Sequence, residues 1–352
     1  MNLIDRYYNL FANDIGMDLG TANTLVYVRG HGVVINEPSV VAVNQKTGRV
    51  VAVGGAAKQM LGRTPGHVTA IRPLVNGVIS DFEVTEEMVG YFLKKARALG
   101  KYKFARPRVV IGVPLSITNV ERRAVRDVAF ASGARAVHVI EEPMAAAVGI
   151  RLPIFEPVGS MIIDIGGGTT DIAVISLGGI VAGRSIQVAG DKLNADIITY
   201  FRDEFKILLG EKTAEDVKIA IGTIDPRRSP LETAVRGRDL VSGLPREVVI
   251  TDSDIREAIA PSMIVLINSV REVLESTPPE ILSDIMHRGI VLVGGGALIS
   301  GLRDMLEEEI KIPVHVAEDP LTAVVRGTGM VLENIEAYRD ILTDNEDELP
   351  PR

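Results

Sequence analysis

The 352-residue chain contains no cysteine. That excludes a disulfide framework, a thiolate metal site and a cysteine nucleophile, and it fits a reducing compartment. Tryptophan is missing as well, and the aromatic residues are limited to 8 Phe and 7 Tyr. The 5 histidines form neither His-x-x-x-His nor His-Glu-x-x-His, so a zinc hydrolase has no support and no Ser–His triad can be assembled. Positive charge is in deficit: 38 Lys and Arg stand against 46 Asp and Glu. The resulting net charge of −8 repels a phosphate polyanion, so nucleic acid is not an expected partner. Long apolar runs are lacking too. The longest nearly uncharged stretches, 172–183 and 290–302, are shorter than a bilayer span and broken by glycines, so no transmembrane helix is expected. Residues 1–13 lack the continuous apolar region and cleavage site of an export signal.

The chain is long enough for two domains of about 150 residues each. Its hydrophobic periodicity states one pattern twice. Strands are predicted at 14–19, 24–29 and 33–35, then a helix over 85–99, a strand at 108–113, a helix from Thr118, a strand at 137–140 and a helix after Pro143. Met88, Val89, Phe92, Leu93, Ala96 and Leu99 share one face of the 85–99 helix, and Thr118 with Glu121 forms a capping box. The second half predicts strands at 161–165, 171–177 and 180–187, helices from about Asp191 and Asp254, a strand at 290–293, a helix after Gly301, a strand at 314–316 and a helix after Pro320. Asp191, following Gly190, reads as an N-cap. The expected architecture is a duplicated α/β fold of order βββαβαβα. Each half carries an insertion, about 36–80 with short strands at 39–43 and 50–53, and about 210–249 with a helix near 213–221 and a polar stretch at 225–237.

The duplication places chemistry at matching positions. Asp18, Gly20 and Thr24 align with Asp164, Gly166 and Thr170 at an offset of 146, each on a strand-to-strand turn. Small residues in such turns let backbone amides approach an anion closely. A carboxylate beside a phosphate is repulsive unless a divalent cation lies between them, so Asp18 and Asp164 together imply Mg²⁺ held largely through water. A third cluster, Gly294-Gly295-Gly296-Ala297, follows an apolar strand and opens a helix, where backbone can pass close to a flat ligand or a phosphate. A plain tight turn is the other reading. The cluster is neither a P-loop nor a dinucleotide fingerprint, because Ile299 stands where the last glycine of Gly-x-Gly-x-x-Gly belongs.

At the N-terminus, Leu3, Ile4, Tyr7, Leu10 and Phe11 recur at helical spacing opposite Asn2, Asp5, Arg6 and Asn9. A helix this short orders only against a surface, either a membrane interface or its own domain. The tail, 344–352, is acidic, ends in prolines and is expected to be disordered.

The order of segments is informative: an Asp-x-Gly turn, Glu142-Pro143, a second turn Asp164-Ile-Gly-Gly-Gly-Thr-Thr, a late Gly-Gly-Gly, and Ala-Val-Val-Arg-Gly-Thr-Gly at 323–329. This constellation resembles the actin, Hsp70 and sugar-kinase superfamily. The segments 18–24, Asn36-Glu-Pro-Ser-Val-Val, 58–66, Val120-Glu-Arg-Arg-Ala, Glu141-Glu-Pro-Met-Ala-Ala-Ala and 164–170 are similar to the bacterial actins of the MreB family, over about 13–333. Met17 and Asp171 stand where Ile and Glu are usual in that family.

The resemblance implies an actin-like, RNase H-like fold with two lobes around a nucleotide cleft, at 14–150 and 151–335. Residues 1–13 would be a membrane-contacting segment, the last helix would pack back on the first lobe, and 336–352 would be an acidic tail. It implies ATP and Mg²⁺ as ligands. Gly20, Thr21, Ala22 and Asn23, with Gly166, Gly167 and Gly168, would cradle the phosphates. Gly294, Gly295, Gly296 and Ala297 would face the adenosine, with Glu215 and Lys218 holding the base or ribose; that pair otherwise reads as a surface ion pair. Glu142 would orient the attacking water, with Thr169 assisting at the γ-phosphate, and Asp18 and Asp164 would hold the metal's hydration shell. Tyr102 and Phe104 would join Leu3, Ile4, Tyr7 and Phe11 at the membrane.

The implied function is an ATP-dependent cytoskeletal filament at the inner face of the cell membrane, with slow hydrolysis coupled to polymerisation, directing cell-wall elongation and rod shape. Its implied partners are further copies of the chain in head-to-tail protofilaments paired antiparallel, an anionic membrane surface, and membrane-embedded cell-shape and peptidoglycan-elongation proteins. A sugar or acetate kinase of the same superfamily is the alternative. A chaperone ATPase would need a peptide-binding domain, for which the stretch after the last predicted helix leaves no room.

Overall fold

A computed structural model describes residues 14–99, 106–227 and 229–343. The expectations for Leu3, Ile4, Tyr7, Phe11, Tyr102, Phe104 and the acidic end 344–352 fall outside these residues. In chain order the first elements are β1 (Ile15–Leu19), β2 (Asn23–Val28), β3 (Gly32–Pro38), β4 (Val41–Asn44), β5 (Val50–Val53), α1 (Gly55–Met60), β6 (Val68–Ile71), β7 (Leu74–Val75), β8 (Val78–Ile79), α2 (Phe82–Arg97), β9 (Arg108–Val113), α3 (Asn119–Ala131), β10 (Ala136–Glu141) and α4 (Glu142–Gly149). They continue with β11 (Ser160–Ile165), β12 (Thr170–Ser176), β13 (Gly179–Ile186), α5 (Gly190–Tyr200), β14 (Ile207–Leu208), α6 (Glu211–Ile221), β15 (Glu232–Asp239) and β16 (Pro245–Thr251). The last are α7 (Asp252–Glu275), α8 (Pro279–Arg288), β17 (Ile290–Val293), α9 (Leu302–Ile310), β18 (Val314–Val316) and α10 (Ala323–Glu333).

The chain divides into two compact units. One holds the described residues up to Val158, the segment Ile175–Ile180 and the residues from Leu321 onward; the other holds Gly159–Val174 and Val181–Pro320.

In the first unit the sheet order is β10-β9-β1-β2-β3. β1 is central, parallel to β9 and antiparallel to β2. A strand covered on both faces reads as a continuous apolar run, and Ile15 and Met17 are fully buried. α2 starts because the Asp81 side chain accepts the Val84 amide at 3.1 Å, and it stays because Thr85, Met88, Val89, Phe92, Leu93 and Ala96 form one buried stripe. α3 opens on the Thr118–Glu121 capping box. α10 lies against α4 and β1 at glycines. A Cβ on Gly149 would fall 2.0 Å from the Ala323 carbonyl oxygen, and one on Gly16 would fall 2.6 Å from Thr328 Oγ1.

In the second unit the order is β13-β12-β11-β17-β18, the first sheet's connectivity read from the opposite edge. Its core gathers Ile163, Ile172, Leu193, Ile197, Phe201, Ile259 and Leu266. The repeated strand order is the structural form of the sequence duplication.

Several boundaries differ from the sequence reading. α2 begins at Phe82, three residues before Thr85, because Asp81 supplies the cap. Asp191 is not an N-cap: α5 opens at Gly190, and Asp191 lies inside its first turn. α7 begins at Asp252, with Thr251 as the cap and Asp254 completing a capping box. Glu142 is itself the first residue of α4, since Pro143 is tolerated in a first turn. The polar stretch 225–237 contains the start of β15, which pairs antiparallel with β16 and with β14. α1, α8 and the short strands β6, β7 and β8 were not expected.

The β15–β16 turn is fastened by Asp239. Its carboxylate accepts the Val241 and Ser242 amides at 2.9 and 2.7 Å and the Arg246 guanidinium at 3.1 Å. The Ser242 amide first, then Arg246 and the Ser242 hydroxyl, hold this carboxyl down at about 2. Because the folded value is depressed, its stabilisation is present above about pH 4 and is lost as pH falls through 2. The protection of the 239–246 amides relative to their intrinsic exchange rate is expected to fall across that window in the native chain. Asp239→Asn should exchange fast already at pH 6; an unchanged profile in the variant would refute the assignment.

Candidate functional site

The first unit presents a candidate phosphate-binding turn between β1 and β2. Ser39, fully buried just past β3, organises this turn. Its hydroxyl donates to the Gly20 carbonyl at 2.6 Å, its amide donates to the Ala22 carbonyl at 3.0 Å, and its Oγ lies 2.9 Å from Thr24 Oγ1. With the Ser39 hydrogen committed to Gly20, Thr24 is the donor of that last bond. The Thr21 hydroxyl accepts the Gly77 amide at 2.8 Å, which leaves its hydrogen to donate elsewhere. The carbonyls of Gly20 and Ala22 are thus spent inside the protein, while the Thr21 and Ala22 amides have no acceptor among the described residues. Outward-facing consecutive amides are an anion cradle.

Two carboxylates border this turn. Asp18 is the next-to-last residue of β1, half-buried, and burial pushes its carboxyl up to about 7. Across the sheet Asp18 is in register with Gly112, and the Glu142 Cγ stands 3.4 Å from where a Gly112 Cβ would be. Asp18 and Glu142 therefore flank one glycine at the carboxyl ends of parallel strands, where ligands bind in open α/β sheets.

The second unit solves the same problem with a helix. The Gly166 amide closes the β11–β12 turn onto the Thr169 carbonyl at 2.9 Å. The first amides of α5, Gly190 and Asp191, donate to the Gly166 and Gly167 carbonyls at 3.1 and 2.8 Å. Again the turn's carbonyls are spent inward, and the Gly167 and Gly168 amides have no acceptor among the described residues. Thr170, matching Thr24, is fully buried and donates to the Val188 carbonyl at 2.6 Å. Asp164 and Thr169 are buried at the turn's base. The Lys218 ammonium, on α6, donates to the Gly190 carbonyl at 2.7 Å, which brings a cation to the end of the helix that caps the loop; Glu215 lies half-buried one turn earlier.

The third cluster lies against the end of β11. Gly294 has φ +80°, and a Cβ there would fall 2.5 Å from Asp164 Oδ1; one on Gly296 would fall 2.1 Å from Ile165 Cγ2. Close packing is therefore a sufficient reason for both glycines. Gly295 is exposed, whereas Gly296 and Ala297 are buried. Sequence reasoning gave no role to Ser39, Gly77 or Gly190. For Ser39 the available signal was a small hydroxyl directly after Pro38, ending a strand. Among the described residues no group of three or more His, Asp or Glu forms a metal cage, so a cation at Asp18 or Asp164 would need further oxygens from water and phosphate.

Comparison with known proteins identifies the family of the chain. The family model described as MreB/Mbl protein matches residues 12–340. The chain is 50% identical to the cell shape-determining protein Mbl of Bacillus subtilis over 327 residues, covering 93% of this chain and 98% of that one. It is 49% identical to the cell shape-determining protein MreB of Escherichia coli over 340 residues, covering 96% and 98%. Among solved structures, MreB5 of Spiroplasma citri bound to ADP superposes with a TM-score of 0.87 at 41% identity, over 92% of this chain and 98% of that one. The MamK double helical filament gives a TM-score of 0.78 at 23% identity, covering 92% and 99%, which supports the actin-like fold alone. With the duplicated sheet, the paired glycine turns and near-complete alignment to relatives at half identity, the chain belongs to the MreB/Mbl family of actin-like, cell shape-determining proteins.

Proposed function

We propose that the chain is an ATP-dependent cytoskeletal protein that assembles head to tail into protofilaments, paired antiparallel, on the inner face of the cell membrane, and directs cell-wall elongation with membrane-embedded partners. The observation that carries the nucleotide reading is the shared design of the two turns. Each spends its carbonyls on Ser39 or on the α5 amides and keeps neighbouring amides for an anion. Relatives with ADP and AMPPNP bound support the same ligand class. Thr21, Ala22 and Asn23 with Gly166–Gly168 would hold the β- and γ-phosphates, and Lys218, Glu215 and the backbone at Gly294–Ala297 the adenosine. Asp18 and Asp164 fit Mg²⁺: a carboxyl that burial pushes up to about 7 gains from a neighbouring cation. The ion would supply charge neutralisation between phosphate and carboxylate. Glu142, held in the first turn of α4, would accept a hydrogen bond from the attacking water, with the Thr169 hydroxyl donating at the γ-phosphate.

Membrane attachment through Leu3, Ile4, Tyr7, Phe11, Tyr102 and Phe104 is supported by chain placement. Asp14 follows 1–13, Arg106 follows 100–105, and the strands these segments enter, β1 and β9, are parallel neighbours. Among the described residues no helix is long and apolar enough to cross a membrane, so attachment would be interfacial.

Sedimentation with Mg-ATP, with and without vesicles containing phosphatidylglycerol, tests the proposal, with phosphate release read in the same tubes. Nucleotide-dependent pelleting, enhanced by vesicles, is expected. A chain that binds ATP yet stays in the supernatant under all conditions would sink the filament reading. Ser39→Ala is expected to weaken ATP binding about tenfold, because it removes one hydrogen bond and leaves the buried Gly20 carbonyl unsatisfied. Titration with a fluorescent ATP analogue measures this, and an unchanged affinity would mean that Ser39 does not set the turn.

A further inference from the structure

The stretch 38–80 in the first insertion contains no Asp or Glu, in a chain of net −8. Three of its cations, Lys46, Arg49 and Arg63, are exposed and have no carboxylate partner among the described residues. Two linked turns carry them. The β4–β5 turn bears Lys46 and Arg49. It is closed by the Asn44 amide on the Arg49 carbonyl at 2.9 Å, the Gly48 amide on the Asn44 carbonyl at 2.8 Å and the Lys46 amide on Asn44 Oδ1 at 3.0 Å. The Gln45 amide donates to the His67 carbonyl at 2.9 Å, which ties this turn to the segment 61–67 bearing Arg63. β4 starts at Val41, two residues beyond Ser39, so the basic tip is at the far end of a strand about 10 Å long that leaves the phosphate-type turn.

The opposite end of the same unit is acidic. α10 runs antiparallel to β1: Val324 Cγ1 lies 3.0 Å from a Cβ position on Gly112, in register with Asp18, whereas the hydroxyl of Tyr27, in register with Gly16, donates to Glu333 at 2.6 Å. Glu333 is therefore at the end away from the phosphate-type turn. Glu336 and Asp340 follow it, exposed and without a cationic partner among the described residues. From Glu333 onward the chain has seven Asp and Glu against two Arg. The arginines at this end, Arg29, Arg108 and Arg135, turn to the buried Asp14.

Opposite charges at opposite ends of one unit meet when copies stack end to end, and a contact between two different surfaces repeats without closing. We infer that the basic tip at Lys46, Arg49 and Arg63 docks on the acidic end of a second copy at Glu336 and Asp340, through exposed ion pairs. The contact rests on the filament reading above and names its surfaces in the first unit. Turns already fixed by their own hydrogen bonds lose little freedom on docking. A lipid surface fits the tip less well, because 1–13 and 100–105 enter the parallel strands β1 and β9 at the end away from it.

The test is sedimentation of the full chain with Mg-ATP, with and without phosphatidylglycerol vesicles. Two charge-reversed variants are compared with the wild type: Lys46→Glu/Arg49→Glu at the tip and Glu336→Lys/Asp340→Lys at the other end. All four side chains are exposed, so folding should survive; circular dichroism and binding of a fluorescent ATP analogue check this. Each variant alone is expected to need about tenfold more protein to pellet, since weak attractions become repulsions. An equimolar mixture restores both pairings, reversed tip on reversed end and native tip on native end, and should pellet within about threefold of the wild type. Pelleting of both single variants at the wild-type concentration would overturn the inference and leave the filament reading standing. A mixture no better than its two parts would overturn it as well. Loss of only the vesicle-dependent pelleting in the tip variant would also overturn it, with lipid as the occupant. If the wild type itself does not pellet, the filament reading fails and velocity sedimentation of the mixture decides the contact: oligomers absent from either variant alone support it, and monomers overturn it.

Discussion

Gly327→Ala is expected to destabilise the first unit by about 3 kcal/mol, the upper end of overpacking costs, because the atoms in the way are backbone. A Cβ on Gly327 would fall 1.7 Å from the Ala145 carbonyl oxygen and 2.5 Å from its carbon. α10 and α4 therefore touch backbone to backbone, and neither can relax without moving a helix. α4 carries Glu142 in its first turn, so the displacement should also impair phosphate release. Gly66→Ala is the control, since nothing lies within 4 Å of its Cβ position and its φ is ordinary. Urea unfolding followed by fluorescence from a tryptophan introduced into the first unit gives the midpoint. A Gly327→Ala midpoint equal to that of Gly66→Ala would refute the close packing.

Glu142→Ala should lower phosphate release on the order of 100-fold while leaving ATP binding and pelleting in place. The carboxylate is at a helix N-terminus, where its electrostatic contribution to stability is only about 0.3–1 kcal/mol, so folding is expected to survive the change. Glu142→Gln keeps the shape and removes the charge; it should be nearly as inactive if the charge orients water, and nearly normal if the side chain only fills space over Gly112. The neighbouring Glu141→Ala, at the N-cap position without a side-chain capping bond, should release phosphate at close to the native rate. Full activity in Glu142→Ala would remove the residue from the mechanism.

The two results bear on different kinds of sequence signal. The segment 323–329 helped to carry the family resemblance, and the structure gives its glycines packing reasons: Gly327 against Ala145, and Gly329 with its Cβ position 2.6 Å from the Tyr27 ring. Glycine needed for close approach to a ligand and glycine needed for close approach to a helix are identical in one dimension. The same ambiguity holds at Gly294 and Gly296.

Much of the architecture was legible because it rests on local physics. Periodicity of apolar residues located the ten strands of the two large sheets and, α8 apart, the helices that cover them. The capping box at Thr118 lies within four residues of chain, and the 146-residue offset between the glycine turns announced the duplication. The insertions were less legible: β6, β7, β8 and β14 are only two to four residues long, and the longer β15 and β16 carry many charged residues that mask a strand pattern.

What tertiary structure alone decided is where backbone groups and charges meet. Ser39 reaches Gly20 across 19 residues, Gly77 reaches Thr21 across 56, and Arg108 reaches Asp14 across 94. Each contact depends on a buried polar group finding a partner that chain folding brings near, and hydrogen-bond satisfaction leaves no periodic trace in sequence. The residue types fixed which elements form and repeat; the folded sheet fixed which amides stay free and which arginines share a carboxylate.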